Sequence, residues 1–257
     1  MDFRSLVSKT DFQRIQELDT CTVSNAIDRL GARLRNEGSV SGSAVHSIFP
    51  NFPPLLGYAV TGRMRSTSAP VLGRAYHENM NWWRYVASIP APRVMVVQDA
   101  DEQPGAGALF GELHAVIGLA LDCVGYVTNG AVRDLAAVQA LRFQLFAGNV
   151  AVSHMYAHIS EFGEPVEIGG LKILPGDLIH GDRHGVHIIP LSIAPEIPRM
   201  AEQILAEERE LKEFCRSPQF SLDALDRKLQ QLPGDGFEMP VNGQARHYAE
   251  HNGTGRK

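Results

Sequence analysis

Cysteine is scarce in this sequence, which has only Cys21, Cys123 and Cys215 among its 257 residues. Because their number is odd and their spacing is wide, they suggest neither a disulfide framework nor a zinc cluster. Such thiols are typical of a reducing compartment, and we therefore expect a cytoplasmic protein. Cys123 lies in an apolar stretch, which predicts that it belongs to the core.

Long apolar runs and basic clusters are also missing. No window approaches the roughly 18 apolar residues of a membrane span, so no membrane contact is expected. Residues 1–4 lack the basic start and apolar core of a signal peptide, and none is predicted. The formal net charge is −5, and basic residues come at most in isolated pairs such as Arg63 and Arg65, so we expect no nucleic-acid partner.

The chain does contain enough apolar residues to build a core. Hydrophobic residues make up 44% of it, a fraction that is consistent with one sizeable domain at this length. Residues 1–219 are predicted to form that single domain. Residues 220–257, which become rich in Pro, Gly and polar residues, are predicted to form a C-terminal arm that is ordered at most in part.

Hydrophobic periodicity predicts a mixed order of helices and strands. Helices are expected at 11–30, 77–88 and 197–214, strands at 57–66, 178–180 and 186–189, a surface connection at 31–54, and a β-rich stretch that begins at 144–152. Two strand–helix units at 93–121 and 125–141 and a Gly-Gly hairpin at 166–173 complete the predicted elements.

The segment from 125 to 134 is the most informative for function. Its residues predict a short buried strand, an Asn-Gly turn and the start of a helix. Arg133 and Asp134 therefore lie where a strand ends, which is where ligands collect in α/β folds. Arg suits bidentate recognition of a carboxylate, and Asp suits a hard cation such as Mg²⁺. An isolated Arg-Asp pair would more commonly be solvated or cap a helix.

A glycine-rich loop at 104–114 follows the strand predicted at 93–99. It opens into an apolar helix at 113–121, whose N-terminus favours an anion. Its glycines let a ligand approach the backbone closely. No Gly-Lys-Ser/Thr follows, which argues against a P-loop, and the dinucleotide-binding pattern fits poorly.

Together, the two segments resemble the signature of a known family. Glu112, twenty intervening residues and then Arg133-Asp134 resemble the acidic-x20-Arg-Asp pattern of the 4-hydroxy-4-methyl-2-oxoglutarate (HMG) aldolases, which are related to RraA, the regulator of ribonuclease E activity. Residues 18–31 are similar to the family's opening helix, and residues 165–190 to its closing β-segment. One position departs from the family: the acid before the gap is most often Asp and is Glu112 here.

The resemblance covers residues 12–215 and implies a fold and an activity. The implied fold is an α/β domain of the phosphohistidine-swivelling type, a layered β/β/α structure assembled as a homotrimer or homohexamer. The implied activity is that of a class II pyruvate aldolase, which cleaves a 4-hydroxy-2-oxo acid with Mg²⁺ or Mn²⁺ as cofactor. Oxaloacetate decarboxylation forms the same pyruvate enolate and is implied as well.

The resemblance also assigns the site. It implies that backbone amides bind the substrate carboxylate, those of Gly111, Glu112, Leu113 and His114. Arg133 would bind the substrate and the enolate oxygen, Asp134 would be the direct protein ligand of the metal, and Glu112 would act through a water on that metal. These three are the implied catalytic residues. The segment offers no lysine for a Schiff base, because the nearest one downstream is Lys172.

Several alternatives stay open. An RraA-like regulator would bind a ribonuclease without catalysis, and a methyltransferase using S-adenosylmethionine has poor support from the loop alone. In the family a further Glu comes from a neighbouring subunit's C-terminal helix; residues 207–213 offer several, with Glu210 preferred, and a solvated charged face is the alternative. His154, His158 and the histidines at 180–187 are interpreted as structural or supporting rather than zinc ligands.

Overall fold

The computed structural model describes residues 7–33, 38–40, 45–70 and 80–231. Its helices are α1 (Lys9–Gln16), α2 (Thr20–Arg29), α3 (Met80–Ser88), α4 (Glu112–Ala120), α5 (Leu135–Ala140), α6 (Ile197–Cys215) and α7 (Leu222–Gln231). Its strands are β1 (Ser39–Val40), β2 (His46–Ser47), β3 (Leu55–Arg65), β4 (Arg93–Asp99), β5 (Ala108–Phe110), β6 (Cys123–Val127), β7 (Ala131–Val132), β8 (Gln144–Ala147), β9 (Asn149–Val150), β10 (His158–Phe162), β11 (Val166–Ile168), β12 (Leu171–Ile173), β13 (Leu178–Asp182) and β14 (Gly185–Ile189).

Parts of three predictions lie outside the described residues. They are 34–37 and 41–44 in the predicted connection, the first three residues of the helix predicted at 77–88, and residues 232–257 of the predicted arm. Within the described ranges, none of the helices combines the length and the apolarity that crossing a membrane requires.

The largest sheet has nine strands in mixed directions. At its centre β3, β4, β6 and β8 run parallel, whereas β13 pairs with β3 antiparallel. Alternate residues of β4 enter two separate buried clusters: Met95 and Val97 belong to one, and Val94 and Val96 to the other. A strand buried on both faces reads as a continuous apolar run, which is why β4 was predictable. The architecture is mixed α/β, as predicted.

A second, small sheet positions the segments of interest for function. It consists of β5, β7 and β9, which run parallel in that order. In its register Phe110 of β5 lies beside Val132 of β7. Because Gly111 directly follows the first residue and Arg133 the second, the two distant segments are brought side by side. The backbone N–H of Arg133 donates to the Phe110 carbonyl at 3.0 Å and fixes this pairing.

The N-terminal region differs from the single helix predicted at 11–30. The chain forms α1 and α2 with a break between Gln16 and Thr20. Asp19 causes the break, because its side chain accepts the Thr22 N–H at 2.7 Å and caps α2. Asp182 of β13 then accepts from both the backbone N–H and the hydroxyl of Thr20. Aspartate is a preferred N-cap residue, so the Asp19-Thr20 pair could have signalled the new helix start.

Cys123 lies in the core, as predicted from its apolar surroundings. Its side chain is 1% exposed at the start of β6. Burial raises the pKa of its thiol to about 12, so the group stays protonated and unreactive at neutral pH. Cys123 is therefore a packing residue.

Two histidines of the antiparallel β13–β14 pair are buried against each other. His180 and His187 face one another in the register, and His180 Nδ1 lies 2.9 Å from His187 Nε2. One ring nitrogen must donate and the other accept, which requires that the pair is not doubly protonated. No group of three or more metal-ligating side chains occurs in the described part of the chain.

We expect the buried histidine pair to make stability fall below neutral pH. Burial lowers the pKa of His180 from 6.5 to about 4, although Asp182 and Asp19 oppose the shift. The pKa of His187 is also lowered, by burial and by the nearby His180 and Arg33. As the pH falls below neutral, the unfolded chain therefore binds more protons than the folded chain. The stability that the neutral histidines contribute above their unfolded pKa is lost as the pH approaches their folded pKa. The His180 contribution between about pH 7.5 and pH 5 is about 2 kcal/mol.

Urea denaturation at several pH values measures this loss. His180→Gln removes one titrating group, so its stability should depend less steeply on pH over the same range than that of the wild type. Equal slopes for the two proteins would show that the His180 side chain is not the source of the acid sensitivity.

Candidate active site

Arg133 and Asp134 lie together at the end of β7, in front of α5. Arg133 Nε donates to Asp134 Oδ1 at 3.1 Å, and the two side chains are 31% and 33% exposed. Asp134 occupies the left-handed region, with φ 55° and ψ 38°. This conformation is uncommon outside glycine, although Asp tolerates it better than most residues, and it is a form of backbone strain that clusters at functional sites.

The Asp134 carboxylate reaches across to the N-terminus of α4 rather than capping its own helix. Asp134 is the N-cap residue of α5, and its side chain makes no capping hydrogen bond there. Instead, Asp134 Oδ2 accepts the backbone N–H of Glu112 at 3.2 Å. The common alternative for an Arg-Asp pair, a cap of the helix that follows, therefore does not describe this residue. The contact joins two segments that are 22 positions apart in the sequence.

Gly111 makes this contact sterically possible. Its backbone is extended, with φ −151°, so any residue could adopt the conformation. A Cβ atom at this position would collide with the Asp134 carboxylate and would lie 3.0 Å from Arg133 Cγ. A side chain at this position would therefore displace the Asp134 carboxylate from α4.

We expect Gly111→Ala to push the Asp134 carboxylate away from α4. Since misplacement by about 1 Å can cost about 100-fold in rate, kcat/KM in the assay described below should fall by about 10- to 100-fold. Gly118→Ala, a buried position in the same helix, is the matched control and should keep its activity. Wild-type turnover of Gly111→Ala would contradict the close approach seen here.

The four residues predicted to bind the substrate carboxylate form the N-cap and first turn of α4. Gly111 is buried, whereas the side chains of Glu112 and Leu113 are exposed. The His114 ring is 3% exposed and packs against Trp83 and Phe110, with ring centroids 5.8 Å apart in each case. Only its backbone is placed to serve a ligand at the helix terminus, where first-turn N–H groups lack helical acceptors. Binding through these amides stays a prediction.

The carboxylate of Asp134 fits a divalent cation in its chemistry. Each of its oxygens receives one hydrogen bond, which leaves lone pairs for a hard cation. A site in which Asp134 is the single protein ligand differs from the clusters of three or more ligands that the described residues lack. Mg²⁺ commonly uses one or two carboxylates and fills its other positions with water and substrate oxygens.

Three of the four glutamates at 207–213 in α6 form ion pairs within the chain. Glu210 pairs with Lys228 of α7 at 2.7 Å, a contact that lowers the pKa of the Glu210 carboxyl. Glu207 pairs with Arg29 at 2.6 Å and Glu208 with Lys212 at 2.7 Å. The donation of Glu210 to a neighbouring subunit stays a prediction, and it would require exchange of the contact with Lys228.

Two residues behind the site were not identified from the sequence as contributors to it. Asp99, the last residue of β4, and Asn129, which follows β6, are linked by backbone–side-chain hydrogen bonds of 2.8 and 3.1 Å. Burial raises the pKa of the Asp99 carboxyl, while hydrogen bonds from Gly105 and Asp101 act in the opposite direction. The signal available in the sequence was the position of both side chains at the carboxyl ends of neighbouring parallel strands.

The profile of one protein family, described as RraA-like, Aldolase/RraA, matches residues 20–188, which is most of the chain. The chain belongs to the RraA-like family. This confirms the family resemblance derived from Glu112, Arg133 and Asp134.

The similarity to one individual protein covers less of the chain than the family profile does. A protein of Halalkalibacterium halodurans named "Putative 4-hydroxy-4-methyl-2-oxoglutarate aldolase" is 35% identical over 96 residues, which are 36% of this chain and 46% of that protein. The chain thus spans about half the length of this relative.

Two solved structures show the same fold. An uncharacterized protein from Pseudomonas syringae pv. tomato has a TM-score of 0.67 at 22% identity, covering 90% of this chain and 99% of the other. RraAS2 of Streptomyces coelicolor, described as an unusual member of the RNase ES inhibitor RraA protein family, has a TM-score of 0.60 at 20% identity, covering 82% and 97%. At these identities the likeness establishes the fold alone. Since the family description joins aldolases with RraA proteins, membership leaves both an enzyme and a regulator open.

Proposed function

We propose that this protein is a divalent-metal-dependent class II aldolase that cleaves a 4-hydroxy-2-oxo acid to release pyruvate, and that it also decarboxylates oxaloacetate. The observation that carries the proposal is the contact between Asp134 Oδ2 and the Glu112 N–H at 3.2 Å. It brings a candidate metal ligand, a guanidinium and a helix N-terminus to one place. A 2-oxo acid presents a carboxylate and an adjacent keto oxygen, which match these groups.

Each residue has a defined part in this proposal. The amides of Gly111, Leu113 and His114 bind the carboxylate of the substrate, because the Glu112 N–H is already donated to Asp134. The Arg133 guanidinium binds the 2-oxo oxygen. The carboxylate of Asp134 holds Mg²⁺ or Mn²⁺, which supplies Lewis-acid stabilisation when it is bound. Glu112, as a carboxylate at the same helix terminus, exchanges protons with the substrate hydroxyl and the product.

Both reactions break the C3–C4 bond and form the same pyruvate enolate. In aldol cleavage the 4-hydroxyl loses its proton, the C3–C4 bond breaks, and its electrons form the pyruvate enolate and leave a carbonyl compound. In decarboxylation the C3–C4 bond breaks with release of CO₂. Arg133 stabilises the negative charge that develops on the 2-oxo oxygen, and protonation of C3 gives pyruvate.

Two properties of the whole protein belong to the proposal. We propose a homotrimer or homohexamer, which the exposed apolar face of α4 supports: Leu113, Val116 and Leu119 are 45%, 47% and 41% exposed. We also propose that residues 1–219 form the catalytic domain and 220–257 an arm. The described part of that arm contains α7, whose Lys228 contacts α6 through Glu210.

Pyruvate release tests the function directly. The protein is stripped with a chelator and incubated with HMG or oxaloacetate, without metal and with Mg²⁺ or Mn²⁺, while pyruvate is read through lactate dehydrogenase. Parallel reactions without protein correct for decarboxylation of oxaloacetate by the metal alone. We expect metal-dependent release from at least one substrate. Absence of protein-dependent release from both would favour the alternative, a non-catalytic RraA-like regulator that binds a ribonuclease.

A further inference from the structure

The amide side chain of Asn129 joins the ends of two parallel strands behind the candidate active site. Its Oδ1 accepts the backbone N–H of Asp99 at 2.8 Å, and its Nδ2 donates to the Asp99 carbonyl at 3.1 Å. The side chain thereby continues the pairing of β4 and β6 beyond Val127, where β6 ends. It fixes the backbone of Asp99 relative to the turn that leads to β7.

The carboxylate of Asp99 holds the glycine-rich loop. It is 2% exposed, and its Oδ2 accepts the Gly105 N–H at 2.8 Å while its Oδ1 accepts the Asp101 N–H at 3.1 Å. Gly105 has φ 93°, a conformation that favours glycine. Both carboxylate oxygens therefore fold the loop back onto the end of β4.

Gly130 and Asn149 close these contacts into a ring. A Cβ atom on Gly130 would lie 2.9 Å from both Cβ and Oδ2 of Asp99, so these two segments of the chain are in close contact. The Gly130 carbonyl accepts the N–H groups of Gly148 and Asn149, at 3.1 Å each. Asn149 Nδ2 in turn donates to the Gly105 carbonyl at 3.2 Å.

Two short segments run from this ring to the site. Residues 106–111 lead through β5 to the N-terminus of α4, and residues 131–134 lead through β7 to Arg133 and Asp134. We propose that Asp99 and Asn129 are positioning residues that hold these two segments at the separation that the Glu112–Asp134 contact requires. This inference rests on the proposed function, since it assigns the contact a role in turnover.

Asp101 is the matched control for Asp99, because it is a buried carboxylate in the same loop that accepts hydrogen bonds from different residues. It is 6% exposed and accepts four hydrogen bonds from the backbone and hydroxyl groups of Ser66 and Thr67. Burial opposes its charge, but these hydrogen bonds outweigh burial and lower the pKa of Asp101. Its carboxylate holds Ser66 and Thr67, which follow β3, and makes no direct hydrogen bond to the described residues of 106–111 or 131–134.

Kinetics and stability of Asp99→Asn and Asp101→Asn separate positioning from general support. Asparagine at 99 presents an N–H₂ group to one of the two backbone N–H donors, so the loop must shift. At saturating Mn²⁺, Asp99→Asn should lower kcat/KM for oxaloacetate by about 10- to 100-fold in folded protein. Asp101→Asn should lower Tm and leave kcat/KM within about 2-fold. Equal loss of activity in both variants, or full activity in Asp99→Asn, would overturn the proposal.

A second variant guards against failure of Asp99→Asn to fold. Asn129→Asp keeps the acceptor for the Asp99 N–H and places a carboxylate oxygen against the Asp99 carbonyl in place of the donor. It should reduce kcat/KM in the same direction as Asp99→Asn and by a smaller factor. Wild-type kcat/KM in Asn129→Asp would remove Asn129 from the positioning pair.

Hydrogen–deuterium exchange gives a readout that does not depend on activity. Asp99→Asn should raise the rate of amide exchange about 10-fold or more in peptides that span 105–115. Asp101→Asn should raise it in peptides around 64–68 instead. Should wild-type protein release no pyruvate, the proposed function fails while this comparison still decides whether Asp99 orders the segment. Unchanged exchange over 105–115 in Asp99→Asn would refute its positioning role.

Discussion

Replacing Asp134 with alanine should abolish metal-dependent turnover and leave the fold in place. The side chain is one third exposed, and its two contacts are with Arg133 Nε and the Glu112 N–H, so little packing is lost. A bound metal supplies several kcal/mol of transition-state stabilisation, which corresponds to a loss on the order of 1000-fold in kcat. Pyruvate release and the affinity for Mn²⁺, measured by electron paramagnetic resonance, should fall together.

Asp122→Ala is the matched control for Asp134→Ala. Asp122 also has a positive φ, 51°, and is also an exposed aspartate beside an arginine, with Arg93 3.6 Å away. It follows the opposite end of α4, so its replacement costs similar backbone strain without touching the site. We expect unchanged turnover in Asp122→Ala. Full activity of Asp134→Ala, or wild-type activity that survives chelation, would contradict the class II mechanism.

The elements that lead to the site were largely predictable, because they depend on local patterns. The apolar run of β4, the glycine-rich loop and the Gly-Gly hairpin were all predicted close to their observed positions. The small sheet of β5, β7 and β9 was not predicted, because strands of two or three residues carry no usable periodicity and no tight turn joins these three, unlike the two strands of the hairpin. Val132, predicted as the start of a helix, forms β7 with Ala131 instead, and α5 begins only at Leu135.

The side-chain contacts that hold the site together were harder to predict from the sequence. The Asp134 carboxylate reaches Glu112 only because β5 and β7 pair and because Gly111 has no side chain. The contacts of Asp99 with Asn129 and Gly105 likewise depend on the order of strands in the sheet. Such contacts follow from tertiary structure, whereas motif spacing in one sequence reports only which residues are present.

Arg133→Lys tests whether the planar guanidinium, rather than its charge, is required. Arg133 Nε is already engaged with Asp134 Oδ1 at 3.1 Å, so the terminal nitrogens are the groups that can hold the substrate. A lysine ammonium is a single point charge and cannot serve both partners in the same geometry. Loss of one oxyanion donor costs about 2.7–4 kcal/mol, so kcat/KM should fall by about 100- to 1000-fold.

Arg93→Lys is the control variant for Arg133→Lys. Arg93 also donates from several guanidinium nitrogens, but its acceptors are backbone carbonyls. It donates to the carbonyls of Ile89, Leu121 and Ala87 at 2.6, 2.6 and 3.0 Å, and its replacement should lower Tm without changing kcat/KM. In Arg133→Lys we expect the reverse, a nearly unchanged Tm with reduced kcat. Because the charge beside Asp134 is retained, Mn²⁺ affinity should change little. Near-wild-type kcat/KM in Arg133→Lys would mean that Arg133 orients Asp134 and does not bind the reacting oxygen.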